Sequence, residues 1–156
     1  MLVALVACAS PAPTTTDRAY DACSPLAVHL AEPTAAREAG LTEAFALWRD
    51  HGASRLETTG EPGDRTDNGT IELEFQTASG AFRGLYDGEH ATIFINNAVT
   101  DPDVLAIVIA HELGHALGLV HVDGHASVML KGNIEVTPNA SDAASLEALW
   151  GACPHQ

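Results

Sequence analysis

The strictest alternation in the chain is Thr70-Ile71-Glu72-Leu73-Glu74-Phe75-Gln76, which puts Ile71, Leu73 and Phe75 on one face and acids on the other. That period predicts a strand with one face in a core. Leu26–Leu30 alternates over a shorter run, and residues 91–96 are β-branched and aromatic, so both read as strands. Residues 55–58 and 82–85 are further short candidates. Elsewhere the period lengthens. Pro33 suits a first helical turn, Leu41, Ala44, Phe45 and Trp48 follow at helical spacing, and Gly52 closes the element, predicting a helix that packs on the sheet. Asp101-Pro102 opens a second helix, with Asp capping free N–H groups and Pro in the first helical position. From Val104 to Leu119 this segment is apolar almost all round, which predicts burial in the middle of the domain. Ser141 caps a last helix whose expected inner face is Leu146, Leu149 and Trp150, with Gly151 as its stop. Residues 60–64 and 67–69 carry turn chemistry, and 122–136 reads as loop. This order of elements, in a chain of 156 residues, describes one α+β domain.

The buried helix carries the candidate chemistry. Its end reads His111-Glu112-Leu113-Gly114-His115-Ala116-Leu117-Gly118-Leu119-Val120-His121, an H-E-x-x-H-x-x-G-x-x-H pattern. Residues four apart on a helix stand one turn above each other, so His111 and His115 can aim two imidazoles at one zinc ion. Glu112 is rotated around the helix, off the metal but within reach of a water there, which makes it the candidate general base. A third ligand further up a straight helix would lie too far along the axis. Gly118 can take the left-handed conformation that ends a helix, and His121 then closes the site from outside it. Three histidines leave a fourth tetrahedral position open, as in catalytic zinc sites. His125 is the rival third ligand, and a buried helix with incidental histidines is the non-functional alternative.

The eleven-residue pattern resembles the metzincin signature of zinc endopeptidases, and Ser127-Val128-Met129 resembles that family's Met-turn. Glu43-Ala44-Phe45-Ala46-Leu47-Trp48 is similar to the first helix of matrixin catalytic domains, and Leu149-Trp150-Gly151 to their Leu-Tyr-Gly close. The resemblance implies a small twisted mixed sheet with an N-terminal helix, a central zinc-binding helix, a Met-turn and a C-terminal helix. It also implies one catalytic zinc on His111, His115 and His121, Met129 as an apolar floor that binds nothing, and peptide-bond hydrolysis by water activated at zinc, with Glu112 as base. Astacins and serralysins carry a Tyr two residues after the turn Met, where this chain has Lys131, and typical matrixins carry a Ser where it has Val122. A matrixin-like relative is therefore expected. Matrixins hold structural calcium and zinc near the counterpart of residues 86–90, but Tyr86-Asp87-Gly88-Glu89-His90 reads as a polar turn, and no second metal is placed there.

Charge removes other classes. Seven basic against twenty-one acidic residues give a net charge of −14, the wrong sign for nucleic acid or an anionic membrane. A protein or peptide substrate and a monomer are expected. Residues 1–8 end in Leu5-Val6-Ala7-Cys8, which resembles a lipobox with Cys8 as the lipidation site. The run is short and lacks a preceding Lys or Arg, as a start assigned downstream of the natural one would produce. Residues 9–22, with Pro11, Pro13 and Thr14 to Thr16, have tether composition, leaving 23–156 as the expected catalytic domain. The protein is thus expected to be exported, secreted or lipid-anchored at a bacterial cell envelope, with no transmembrane span. In an exported chain the remaining Cys23 and Cys153 read as a disulfide worth about 4 kcal/mol. A zinc-capping role for Cys23 is disfavoured because Asp21-Ala22-Cys23-Ser24-Pro25 lacks the matrixin propeptide motif. Two alternatives from other classes are a non-catalytic zinc-dependent peptide-binding module and a zinc hydrolase of non-peptide amides or esters.

Overall fold

A computed structural model describes residues 18–63 and 69–153. Strands β1 (Leu26–Leu30), β2 (Leu56–Thr59), β3 (Thr70–Gln76), β4 (Gly84–Asp87) and β5 (Thr92–Asn96) form one mixed sheet in the order β2-β1-β3-β5-β4. All neighbours are parallel except β4, which runs antiparallel to β5 at one edge. Three helices, α1 (Ala35–Arg49), α2 (Pro102–Ala116) and α3 (Ala140–Trp150), complete the described α+β domain. Cys8 and residues 9–17 of the expected tether lie outside the described residues.

The apolar stripe of α1 (Leu41, Ala44, Phe45 and Trp48) is buried, with Trp48 fully so. Its indole N–H donates to the Ala110 carbonyl at 2.8 Å, locking α1 against the middle of α2. Gly40 permits this approach, because a Cβ there would lie 2.9 Å from the Leu105 side chain. Helix α2 is wedged between α1 and the sheet, so nearly all its faces are buried, matching its all-round apolarity. Asp101 caps it as expected, its Oδ1 accepting from the N–H groups of Asp103 and Val104 at 3.0 and 3.1 Å.

Several details differ from the sequence reading. Pro33 precedes α1 rather than entering it, because Thr34 is the N-cap and accepts from the Arg37 N–H. Strand β4 begins two residues later than expected. The Asn96 side-chain amide donates to the carbonyls of Ala78, Ser79 and Phe82, which holds that stretch as a loop until Arg83. The N-cap of α3 is Asn139, not Ser141, and Leu149 is 54% exposed instead of facing inward. Leu146 and Trp150 dock α3, the Trp150 indole donating to the Leu117 carbonyl at 2.8 Å. The acidic face of β3 is not simply solvated either: Glu72 is buried, paired with His29 at 2.8 Å and accepting from the Gly63 N–H.

Cys23 and Cys153 are joined by a disulfide across a separation of 130 residues, tying the entry to β1 to the chain after α3. Residues 18–22 run against the domain: the Tyr20 N–H donates to the Ala116 carbonyl at 2.8 Å and Ala22 is in the core. Replacing both cysteines with Ser is expected to lower unfolding stability by about 2–5 kcal/mol, the range for a loop this long. Chemical denaturation of the double variant checks it, and an unchanged midpoint would show that the bridge constrains nothing. Among the described residues no helix is long and apolar enough to cross a membrane.

Candidate metal centre and active site

Helix α2 ends in a Schellman motif directly under the candidate site. The Gly118 N–H donates to the His115 carbonyl and the Leu119 N–H to the Gly114 carbonyl, both at 2.9 Å, with Gly118 at φ +93°. A side chain is strained at that angle, which explains why glycine occupies the turn. The reversal carries His121 back beside His111 and His115.

The three imidazoles then face one point. The His121 Nε2 lies 3.1 Å from the His111 Nε2 and 3.3 Å from the His115 Nε2. Nitrogens on a tetrahedral ion with zinc–nitrogen bonds of about 2.0–2.1 Å stand about 3.3 Å apart, so the spacing fits zinc. The opposite ring nitrogens settle the tautomers of two rings. The His111 Nδ1–H donates to the Val128 carbonyl at 2.7 Å and the His115 Nδ1–H to the Leu119 carbonyl at 2.9 Å. A carbonyl can only accept, so Nδ1 carries the proton and the Nε2 lone pair points at the shared position. Burial holds the His111 imidazole below its ordinary pKa, keeping it in the neutral form that ligates. His125 is exposed and stands outside this group, which among the described residues is the cluster suited to a metal.

Val128 belongs to the turn that places Met129. Asp142 of α3, 2% exposed, accepts from the Ser127 hydroxyl and from the N–H groups of Val128 and Asn139 at 3.1 and 3.0 Å. It thus joins the cap of α3 to the peptide that orients His111. Met129, 1% exposed, lies where a Cβ on Gly114 would collide with its sulfur and come within 3.3 Å of Trp48. Gly114→Ala is expected to lower stability by about 1–3 kcal/mol through overpacking, although Ala is the better helix former by about 1 kcal/mol. Thermal unfolding decides the sign: a gain would mean Met129 gives way freely.

Glu112, one residue along α2 from His111, turns toward β4 within the same cleft. Its carboxylate packs against β4, where a Cβ on Gly84 would sit 2.7 Å from Oε1, and it accepts from the Tyr86 backbone N–H. Desolvation by burial pushes its pKa from 4.5 to about 7, with the Tyr86 hydrogen bond opposing the rise. For a carboxylate raised on folding, stability is fully present below the unfolded value and falls as pH climbs through the folded one. A rise from 4.5 to about 7 corresponds to about 3 kcal/mol. In metal-stripped protein, Glu112→Gln should therefore match the wild type near pH 4 and exceed it by about that amount at pH 8. Parallel denaturation slopes for the two proteins across this range would refute the burial argument.

These groups line an open cleft of about 570 Å³, walled on one side by β4 and on the other by residues 118–121 and 131–133. In the turn 87–90, Asp87 accepts from the His90 ring at 2.8 Å and from two backbone N–H groups. The His90 hydrogen bond chiefly lowers its pKa. Gly84, Gly114, Tyr86 and Asp142 were not singled out by sequence reasoning. A glycine inside the helical pattern at 114 and the Asn139-to-Asp142 spacing of a capping box were the available signals.

The family model for matrixin (Peptidase_M10) matches residues 87–151, which include β5, the three histidines, the Met-turn and α3. Two solved structures of myroilysin are similar. One shares 19% identity over 66% of this chain and 52% of that chain, with a TM-score of 0.49. The other shares 18% identity over 93% of this chain and 69% of that one, with a TM-score of 0.50, and supports the fold. This chain thus spans about half of the first myroilysin chain. No curated protein matches it.

Proposed function

Because the chain carries a matrixin-like metzincin domain, with its fold and convergent histidines, we propose that it is a zinc-dependent endopeptidase in which Glu112 is the general base. The observation that carries this reading is three Nε2 atoms converging at the floor of an open cleft with a buried carboxylate one residue along the same helix. His111, His115 and His121 would hold the ion. When bound there, zinc supplies Lewis acidity, making water a nucleophile near neutral pH and polarising a carbonyl oxygen.

The chain's own groups do the rest. Burial removes water from around Glu112, while Gly84 and the Tyr86 N–H fix its carboxylate on the cleft side of α2. From there it takes the proton of the attacking water and then passes it to the leaving amine, one carboxylate serving twice. The free edge of β4 offers backbone groups to an extended peptide, and Leu85 and Val120, 50% and 59% exposed, offer apolar contacts on the walls. Export, with or without lipidation at Cys8, is part of the same proposal and is consistent with the disulfide.

Cleavage profiling on a peptide library, run beside amide and ester panels, tests the reading. Internal peptide bonds should be cut, with ester turnover minor. Hydrolysis confined to small esters or amides would move the protein to another hydrolase class, and tight peptide binding without cleavage would make it a binding module.

A further inference from the structure

The cleft has the opposite electrostatic character from the rest of the molecule. The chain carries seven basic and twenty-one acidic residues. Among the described residues, Arg18, Arg83 and Lys131 line the cleft, and Glu112 is the one acid that does. Arg83 and Lys131 come from different segments, the residue just before the edge strand and the turn after Met129. Both are anchored through ordered backbone. The Arg83 carbonyl accepts from Asn96 at 2.8 Å, and Lys131 sits within the Leu130-to-Asn133 turn closed at 3.0 Å. Neither side chain has an ion-pair or hydrogen-bond partner among the described residues, and both are exposed. Arg37 shows the contrast, being held by Glu32 and Asn97 and stacked over Phe75.

We propose that this cleft selects peptides carrying Asp or Glu side chains beside the scissile bond, with Arg83 and Lys131 as the specificity-determining cations; the inference rests on the peptidase reading above. Glu112 apart, the acidic side chains of the described residues lie outside the cleft lining. At about 0.15 M ionic strength charges beyond about 8 Å are screened, so the cations at the cleft wall dominate once the peptide is seated. Each exposed pair contributes a few-fold, and the two together about tenfold.

Three C-terminally amidated peptide sets, identical except for Asp/Glu, Asn/Gln or Lys/Arg around the cleavage site, test the proposal in 0.15 M salt. A fourth set, neutral with a free C-terminus, separates a side-chain carboxylate from a chain-end one. Wild-type kcat/KM and fluorescence-anisotropy binding to zinc-loaded Glu112→Gln protein are both read. Acidic peptides should exceed their Asn/Gln isosteres about tenfold, and Arg83→Glu with Lys131→Glu should invert the order at unchanged thermal stability. Equal rates for acidic and amide peptides, an acid preference that survives the double reversal, or a preference for the free C-terminus alone would each overturn it. If no peptide were cut while the binding preference held, the peptidase reading would fail and the charge selectivity would stand.

Discussion

Glu112→Gln is expected to leave the fold and zinc content intact while lowering kcat at least about a hundredfold. Gln has the shape of Glu, so the contact with Gly84 and the hydrogen bond from the Tyr86 N–H have a replacement acceptor. What disappears is the ability to take and return a proton. General acid–base catalysis contributes two to four orders of magnitude, about 3–5 kcal/mol of barrier, and the same group is asked to act twice. Burial to 5% exposure also means that bulk water cannot easily replace it as proton acceptor. Peptide hydrolysis by the folded, zinc-replete variant is the measurement, and a rate near that of the wild type would remove Glu112 from the mechanism.

The second large effect is loss of zinc on replacing any one of the three histidines with Ala. His121 is the most informative, being the exposed member and the one outside α2. Its Nε2 is the atom that brings the other two into a common site, at 3.1 and 3.3 Å. Partners that merely orient a ligand change affinity about 10- to 100-fold, so deleting the ligand itself should cost more than about a hundredfold and abolish hydrolysis. Zinc content after dialysis against a weak chelator would show it. His125→Ala serves as the comparison: exposed and outside the cluster, it should retain full metal and activity. The reverse pattern would reassign the third ligand.

The convergence of the histidines was legible because it is nearly local. Two residues one helical turn apart and a glycine that reverses the chain determine most of the geometry, and Gly118 does adopt a positive φ. The α1 stripe and the alternation of β3 were legible for the same reason. Depth and tertiary partnership were not. A helical period identifies an apolar face but not how far the helix sinks, so Leu149 is left half in solvent while Leu146 is buried. Asn139 and Ser141 are both good caps, and the choice is made by Asp142, which answers Asn139 while holding the Met-turn peptide. The start of β4 depends on one side chain, Asn96, reaching three carbonyls some fifteen residues back in the chain. Gly84 and Glu112 are distant in sequence, as are Arg18, Arg83 and Lys131, and only the fold assembles them.

The most direct test of zinc-dependent proteolysis is a zinc titration of chelator-stripped protein with peptide cleavage as the readout. Activity should be absent at the start, rise in proportion to added zinc, and level off at one ion per chain. Cleavage undiminished in fully stripped protein, or one bound zinc per chain with no peptide cut, would contradict it.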